Sequence, residues 1–231
     1  MEGPASGGAA LPAAGVVDPA AEWLDVLDAE GATVGREQRA VVHQQGWWHR
    51  TVHVWVLRPG AREPHAVFQW RTADRRQFPN LLDVTCGGHV GAGEPVEEAM
   101  RRELAEELGL GRRARIEPLG AVPVEAQDGG PPVREWAHEF VHVSRRPLVA
   151  YRVAAEEVQG LLAAPLGPLE ALWRGERAEV RLAGARFDCG RPIAVVRSVG
   201  RADFVPAPAS HYAAWAHRMR QAYARWQERP R

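Results

Sequence analysis

Lysine does not occur in this chain, and all 29 of its basic residues are arginine. That absence excludes a P-loop lysine, a Schiff-base lysine and a lysine general base. Any phosphate must therefore be held by arginine, backbone N–H groups or a metal ion. Isoleucine is almost missing too, with Ile116 and Ile193 alone beside 23 Gly, 18 Pro and abundant Ala. A GC-rich genome writes such a composition, which explains the bias without saying which arginines are useful. Net charge is also absent, since 29 acidic residues balance the 29 basic ones. No basic run concentrates into a stripe, which argues against nucleic acid as a partner. The two cysteines, Cys86 and Cys189, make neither a disulfide framework nor a zinc spacing and are expected as free thiols in a reducing compartment. The longest apolar stretches, Val52 to Leu57 and Leu161 to Leu166, fall far short of a membrane span. The start of the chain lacks the basic residues of a signal peptide, so the expectation is a cytoplasmic protein with no membrane partner.

What is present suits one globular domain with additions: 45% hydrophobic and 25% charged over 231 residues. Residues 1–20 are Gly, Ala and Pro with almost no large side chains, and are expected as a disordered lead. The main domain is expected over 21–185 and a C-terminal extension over 186–231. Glu22 to Asp28 reads as a strand with a turn and return to Gly35. Thr51 to Leu57, β-branched and aromatic on both faces, predicts a central strand. Ala66 to Arg71 is expected as its hairpin partner and Leu81 to Thr85 as a short strand. Strands follow at Arg115 to Val124 and Trp136 to Val143, and a short helix at Gly167 to Gly175. Tyr212, Trp215, Met219, Tyr223 and Trp226 recur at three- and four-residue steps and predict an amphipathic helix. A lid or a homodimer contact would each fit that helix. Mixed short strands with a few helices give an α+β class.

The best helix runs from Glu94 to Leu108, with Pro95 at its first position, apolar Val96, Met100, Leu104 and Leu108, and Gly109 as its stop. Three carboxylates, Glu103, Glu106 and Glu107, share one face within a single turn of it. A solvated acidic face is the simplest explanation, but it is an unfavourable one. Glu106 and Glu107 lie in the last turn, where the helix dipole penalises a carboxylate by about 0.3 to 1 kcal/mol. Glu94, Glu97 and Glu98 already occupy the favourable end. A hard divalent cation, which takes oxygen ligands, supplies a reason for the late cluster. Upstream, Val84 to Gly91 is a glycine-rich passage that lets backbone groups approach an ion or phosphate closely. Arg102 can orient Glu103, or pair with Glu98 or Glu106 at helical spacing.

Gly88, five residues, Glu94, seven residues, Arg102-Glu103-Leu104, one residue, Glu106-Glu107, one residue and Gly109-Leu110 match the Nudix box with every position filled. The resemblance implies an α/β/α sandwich with a mixed sheet and a loop-helix-loop catalytic box. It implies an enzyme that uses Mg2+ or Mn2+ to hydrolyse a small-molecule substrate, a nucleoside diphosphate-linked or other organic diphosphate, at its phosphoanhydride. It makes Glu103, Glu106 and Glu107 metal ligands with the carbonyl of Gly87, gives Arg102 the task of holding Glu103, and leaves Gly88, Glu94 and Gly109 to shape the box. A looser resemblance over residues 22–180, carried by Trp23 to Asp28, His49 to Trp55, Phe68 to Arg71 and Asp83 to His89, is to the branch related to isopentenyl diphosphate isomerase.

Isomerisation is the alternative activity, and the residues weigh against it. The isomerases place their catalytic cysteine immediately before the first box glycine, where this chain has Gly87, and Cys86 is displaced by one residue. One residue in an extended segment moves a side chain to the other face. Their later Glu-x-Glu pair is here Ala137-His138-Glu139. A non-catalytic ligand-binding module is the second alternative, disfavoured by the intact box. Glu139, in an apolar strand, is expected as a further metal ligand or general base, or else as an exposed edge-strand residue. His43, His49, His53 and His89 fall loosely where the isomerases carry metal-binding histidines, with His89 at a matching offset. His138 and His142 are expected to pack with Trp136 and Phe140. Arg71, Arg75 and Arg76 are candidate clamps on the diphosphate, or simply solvated loop residues. Trp47 and Trp48 could wall a ring pocket, and loops 36–50 and 124–134 are expected to choose the group beyond the phosphates.

Overall fold

The computed structural model describes residues 22–127, 129–207 and 209–229, so the lead expected over 1–20 lies outside the described residues. Its organising strand is β3 (Trp48–Arg58), whose alternation divides the molecule into two cores. Val52, Val54 and Val56 face one way and pack on Ala99, Met100, Leu104 and Leu108 of α2 (Val96–Leu108). Trp55 and Leu57 face the other way, toward α3 (Leu166–Trp173) and α4 (Ala209–Gln227). A strand that is apolar on both faces is thereby buried on both faces. The result is an α+β fold with helices on either side of a mixed sheet.

Neighbours of β3 fix the rest. β8 (Val133–Val143) lies parallel to it, His49 through Leu57 opposite Glu135 through Val143, with β7 (Glu117–Ala126) antiparallel outside. β1 (Trp23–Leu27) pairs with its start and carries β2 (Thr33–Gln38). On the same side as β1, away from β8, β4 (His65–Arg71) pairs only with Val56 to Arg58, because β6 (Cys86–His89) takes the partners from Thr51 to Val54. β5 (Leu82–Asp83) attaches to the diverging end of β4. At the branch point the buried Thr85 hydroxyl accepts from the Val56 N–H at 2.9 Å and donates to the Val67 carbonyl at 2.5 Å, bridging the last pair of the β3–β4 ladder where the two strands part. The expected strand Leu81 to Thr85 is cut to two residues because Thr85 bonds through its side chain.

Beyond β4 the sheet continues through β9 (Val158–Pro165), β10 (Val180–Asp188) and β11 (Arg191–Val199), all antiparallel. The apolar run Leu161 to Leu166 is the interior of β9 and the start of α3. The division expected between 185 and 186 falls inside β10, whose Ala183 to Arg186 pair with β9. Trp215, Ala216, Met219, Ala222 and Tyr223 of α4 belong to the same buried cluster as Trp55 and Phe68. The extension is thus built into the sheet and core. One helix was not expected: α1 (Arg39–Gln45) lies in the presumed loop 36–50, with no side-chain cap, no acid in its first turn and Val42 as its buried residue. Two turns are too short to display a period. In α2, Pro95 sits at the cap rather than at the first helical position.

Trp215 has no exposed surface and contacts the rings of Trp55, Phe68 and Trp173. Trp215→Ala is expected to destabilise the fold by about 3–5 kcal/mol in urea denaturation. An unchanged midpoint would show that α4 is a detachable addition.

Candidate active site

Two consecutive glycines and one helix build the site. Gly109 ends α2 in the left-handed region at φ 61°, its N–H on the Ala105 carbonyl and Leu110 N–H on that of Leu104. A β-carbon there would also lie 2.9 Å from Arg152, so the stop needs glycine twice over. At the other end Glu94 accepts from the Gly91 N–H at 2.8 Å and takes both arms of Arg102, at 3.1 and 3.0 Å. Arg102 then reaches the Glu103 carboxylate at 2.6 Å, Glu106 at 3.5 Å and the His89 carbonyl at 2.9 Å. One guanidinium thus ties the loop to the helix and aims Glu103. The aim is tight: a β-carbon on Gly88 would stand 2.0 Å from the Glu103 carboxyl carbon.

Glu107, 3% exposed, meets the N–H of Gly87 at 3.2 Å and the thiol of Cys86. A fourth carboxylate arrives that spacing along the helix could not announce. Glu157, in the turn before β9, lies against the Glu107 carboxylate and is paired with Arg75 at 2.8 Å. The turn is docked on the helix end, Ala154 N–H donating to the Glu107 carbonyl at 3.2 Å. Pairing of β4 with β9, which sets Arg71 opposite Val158, is what brings the segment of Arg75 beside Glu157.

The electrostatics of this cluster are unbalanced. Burial, only partly offset by Arg102, raises Glu103 to about 7, with Glu106 and Glu157 adding repulsion. Burial, followed by the charges of Glu103 and Glu157, lifts Glu107 well above the ordinary carboxylate range. Arg102 and Arg75 serve Glu103 and Glu157, and no cation among the described residues pairs with Glu107. Such a donor set, hard oxygen ligands with uncompensated negative charge, fits a divalent cation. Glu106 is at the rim, its side chain 60% exposed.

A second group of donors lies on β6 and its neighbours. His43 of α1, His49 of β3 and His89 of β6 offer ring nitrogens all within 4.8 Å of one another, with His43 Nε2 and His89 Nε2 3.0 Å apart. His49 Nδ1 is held by the Trp47 carbonyl at 3.0 Å, which leaves Nε2 buried without a partner. Burial lowers all three, His43 to about 4, so the rings are neutral and able to bind a metal. Of the four histidines singled out in this region, His53 is elsewhere: its Nε2 pairs with Glu135 at 3.2 Å. That bond raises His53 despite burial and lowers Glu135 to about 2.

Over the complete Nudix box, the geometry now accounts for each fixed residue. A NUDIX domain model matches residues 47–179. The chain belongs to the Nudix hydrolase family. An uncharacterized Nudix hydrolase of Clostridium acetobutylicum is 30% identical over 193 residues, 83% of this chain and 93% of that protein. An isopentenyl-diphosphate Delta-isomerase of Halorhodospira halophila is 31% identical over 127 residues, 54% of this chain and 70% of that protein. The crystal structure of DR0079 from Deinococcus radiodurans superposes with a TM-score of 0.53 at 21% identity, covering 73% of this chain and 95% of that one, a likeness of fold. As a Nudix hydrolase the protein is an enzyme of the pyrophosphohydrolase class.

Several expected site residues of this Nudix chain stand apart from the cluster. Glu139 is neither at an edge nor near α2. β8 runs between β3 and β7, and alternation puts Glu139 on the face of Val141, opposite the face of Phe140 that meets α2. It is 1% exposed and paired with Arg218 of α4 at 2.5 Å; burial raises it although Arg218 pulls it down. Arg71 is spent on its own loop, donating to the carbonyls of Phe78 and Gln77 at 3.1 and 2.9 Å and to Asp83 at 2.9 Å. Arg75 reaches the cluster through Glu157, whereas Arg76 is exposed on the side of His43. Trp47 is 41% exposed and Trp48 packs on Trp136. His142 holds the Arg115 carbonyl at 2.9 Å. Among the described residues no helix is long and apolar enough to cross a membrane.

Gly88→Ala is expected to displace Glu103 and lower turnover of a diphosphate with Mg2+ by at least about tenfold, while thermal unfolding shifts little. Unchanged turnover would show that Glu103 need not sit where it does. For the histidines, Co2+ titration is expected to give a visible d–d spectrum in the wild type that His49→Ala abolishes; an unaltered spectrum would move the cobalt elsewhere.

Proposed function

We propose that this Nudix hydrolase cleaves the phosphoanhydride of an organic diphosphate with a divalent cation, Mg2+ or Mn2+, held by Glu103, Glu106, Glu107 and Glu157 and the carbonyl of Gly87. The observation that carries the reading is the burial of Glu107 and Glu103 beside Glu157 with too few cations to balance them. The cation would neutralise phosphate oxygens and lower the pKa of a water that attacks phosphorus. Arg102 keeps Glu103 and Glu94 fixed, so the carboxylate does not reorganise as charge moves. With Glu139 committed to Arg218 on the opposite face, proton acceptance falls to an oxygen of Glu107 or Glu157. Arg75 and Arg39, which line the adjoining cavity, are the guanidinium groups available to phosphate oxygens. The substrate is a small molecule.

The isomerase alternative is opposed by Cys86. Its thiol is completely buried in the core against α2, and burial with the neighbouring carboxylates raises it far from a reactive thiolate. Glu107→Gln is expected to abolish hydrolysis, by about a hundredfold or more in kcat, in assays that separate phosphate from pyrophosphate release. Undiminished turnover would remove the metal-hydrolase reading. Conversion of isopentenyl diphosphate to its allylic isomer would favour the alternative.

A further inference from the structure

Where β4 leaves β3, the sheet opens into a cavity of about 130 Å3 on the α4 side. Gly87, Gly88 and His89 form one wall, so the cavity begins where the diphosphate would end. Trp55, Phe68 and Tyr212 supply aromatic surface, which suits a flat ring. Two polar side chains on its opposite flanks are not accounted for by the fold. Gln69 of β4 is 3% exposed, lines the cavity, and its amide has no hydrogen-bond partner among the described residues. Its two donors and its acceptor therefore face the cavity, and a ligand that covers them without hydrogen-bonding them incurs a large cost. His53 of β3 also lines the cavity. Glu135 holds its Nε2 at 3.2 Å, and Thr51 Oγ1 bonds the same carboxylate oxygen at 3.4 Å, so the ring is fixed in orientation. Its Nδ1 has no partner among the described residues. Asp83, by contrast, is satisfied by Arg71 and the Val84 N–H.

Resting on the hydrolase reading, we infer that Gln69 and His53 select the group beyond the diphosphate, and that this group is a polar planar heterocycle rather than an isoprenoid chain. A prenyl tail would cover the amide and the imidazole with methylenes and leave both unsatisfied. A ring edge with a donor beside an acceptor satisfies both. Sites built to hydrogen-bond a substrate reject analogues that lack the group far more strongly than apolar pockets reject an extra methylene.

The test compares ADP and thiamine diphosphate with geranyl diphosphate, using the full chain with Mg2+ and Mn2+. At least one heterocyclic substrate is expected to exceed geranyl diphosphate in kcat/KM by about a hundredfold or more. Gln69→Leu and His53→Leu are each expected to shrink that ratio by roughly tenfold or more, mainly through KM. Gln69→Met and His53→Gln serve in place of a variant that fails to fold. Equal or better use of geranyl diphosphate, or a ratio unchanged in both variants, overturns the inference. If the wild type cleaves none of the three, the result weighs on the hydrolase reading and not on the selectivity. Calorimetric binding of ADP against geranyl diphosphate then decides the selectivity: a preference for ADP lost in Gln69→Leu upholds it, and no preference overturns it.

Discussion

Negative charge forced together in a buried place is the constraint on which the rest of the site depends. Glu107 stands in the last turn of α2, where the helix dipole opposes it, Glu103 lies one turn before it, and Glu157 is brought against them by the β4–β9 register. The protein offers incomplete compensation, Arg102 on one side and Arg75 on the other. Everything nearby serves to keep the carboxylates from relaxing apart. Gly88 has no side chain because Glu103 occupies that space, Gly109 stops the helix two residues after Glu107, and Glu94 anchors the arginine that aims Glu103. In the proposed function a cation would turn this repulsion into ligation.

The sheet then separates two tasks. Val52, Val54 and Val56 hold the carboxylate-bearing helix on one face, while His53 and Trp55 look into a cavity on the other. The two faces adjoin at Gly87 and Gly88, where β6 replaces β4 as the neighbour of β3: Gly87 bonds Glu107 on one side and lines the cavity on the other. The Thr85 hydroxyl stabilises that branch by bonding both strands at once. On the cavity side, α4 contributes Tyr212 to the wall and Trp215 to the core, and its Arg218 neutralises Glu139. A segment expected as an addition is therefore part of the scaffold of the pocket.

Local chemistry was legible in the sequence because it is encoded at helical spacing. Glu103, Glu106 and Glu107, the aiming Arg102 and the glycine stop all follow from one turn of helix, and the two-faced character of β3 follows from its composition. What could not be read depends on register between distant strands. Nothing in the neighbourhood of Glu157 marks it, because its partner Arg75 lies across a strand pair formed far along the chain. Glu139 has the composition of a ligand and the wrong parity: alternation along β8 turns it to the α4 face. Arg71 resembles a phosphate clamp until the loop it organises is folded around it. The short α1 has too few residues to show a period, so the meeting of His43 with His49 and His89 was visible only as loose proximity in sequence.

The absence of lysine noted at the outset acquires a physical meaning in this arrangement. Both cations that touch the carboxylate cluster are arginines, and the planar fork of Arg102 binds five oxygens of the loop and helix in a way a point-charge ammonium could not. The central claim is that the carboxylate cluster is a cation site. Anomalous diffraction from crystals of the protein soaked in Mn2+ tests it most directly. The account requires a peak among the carboxylates of Glu103, Glu107 and Glu157 beside Gly87. A Mn2+ peak confined to the histidines, or none at the carboxylates, would contradict it.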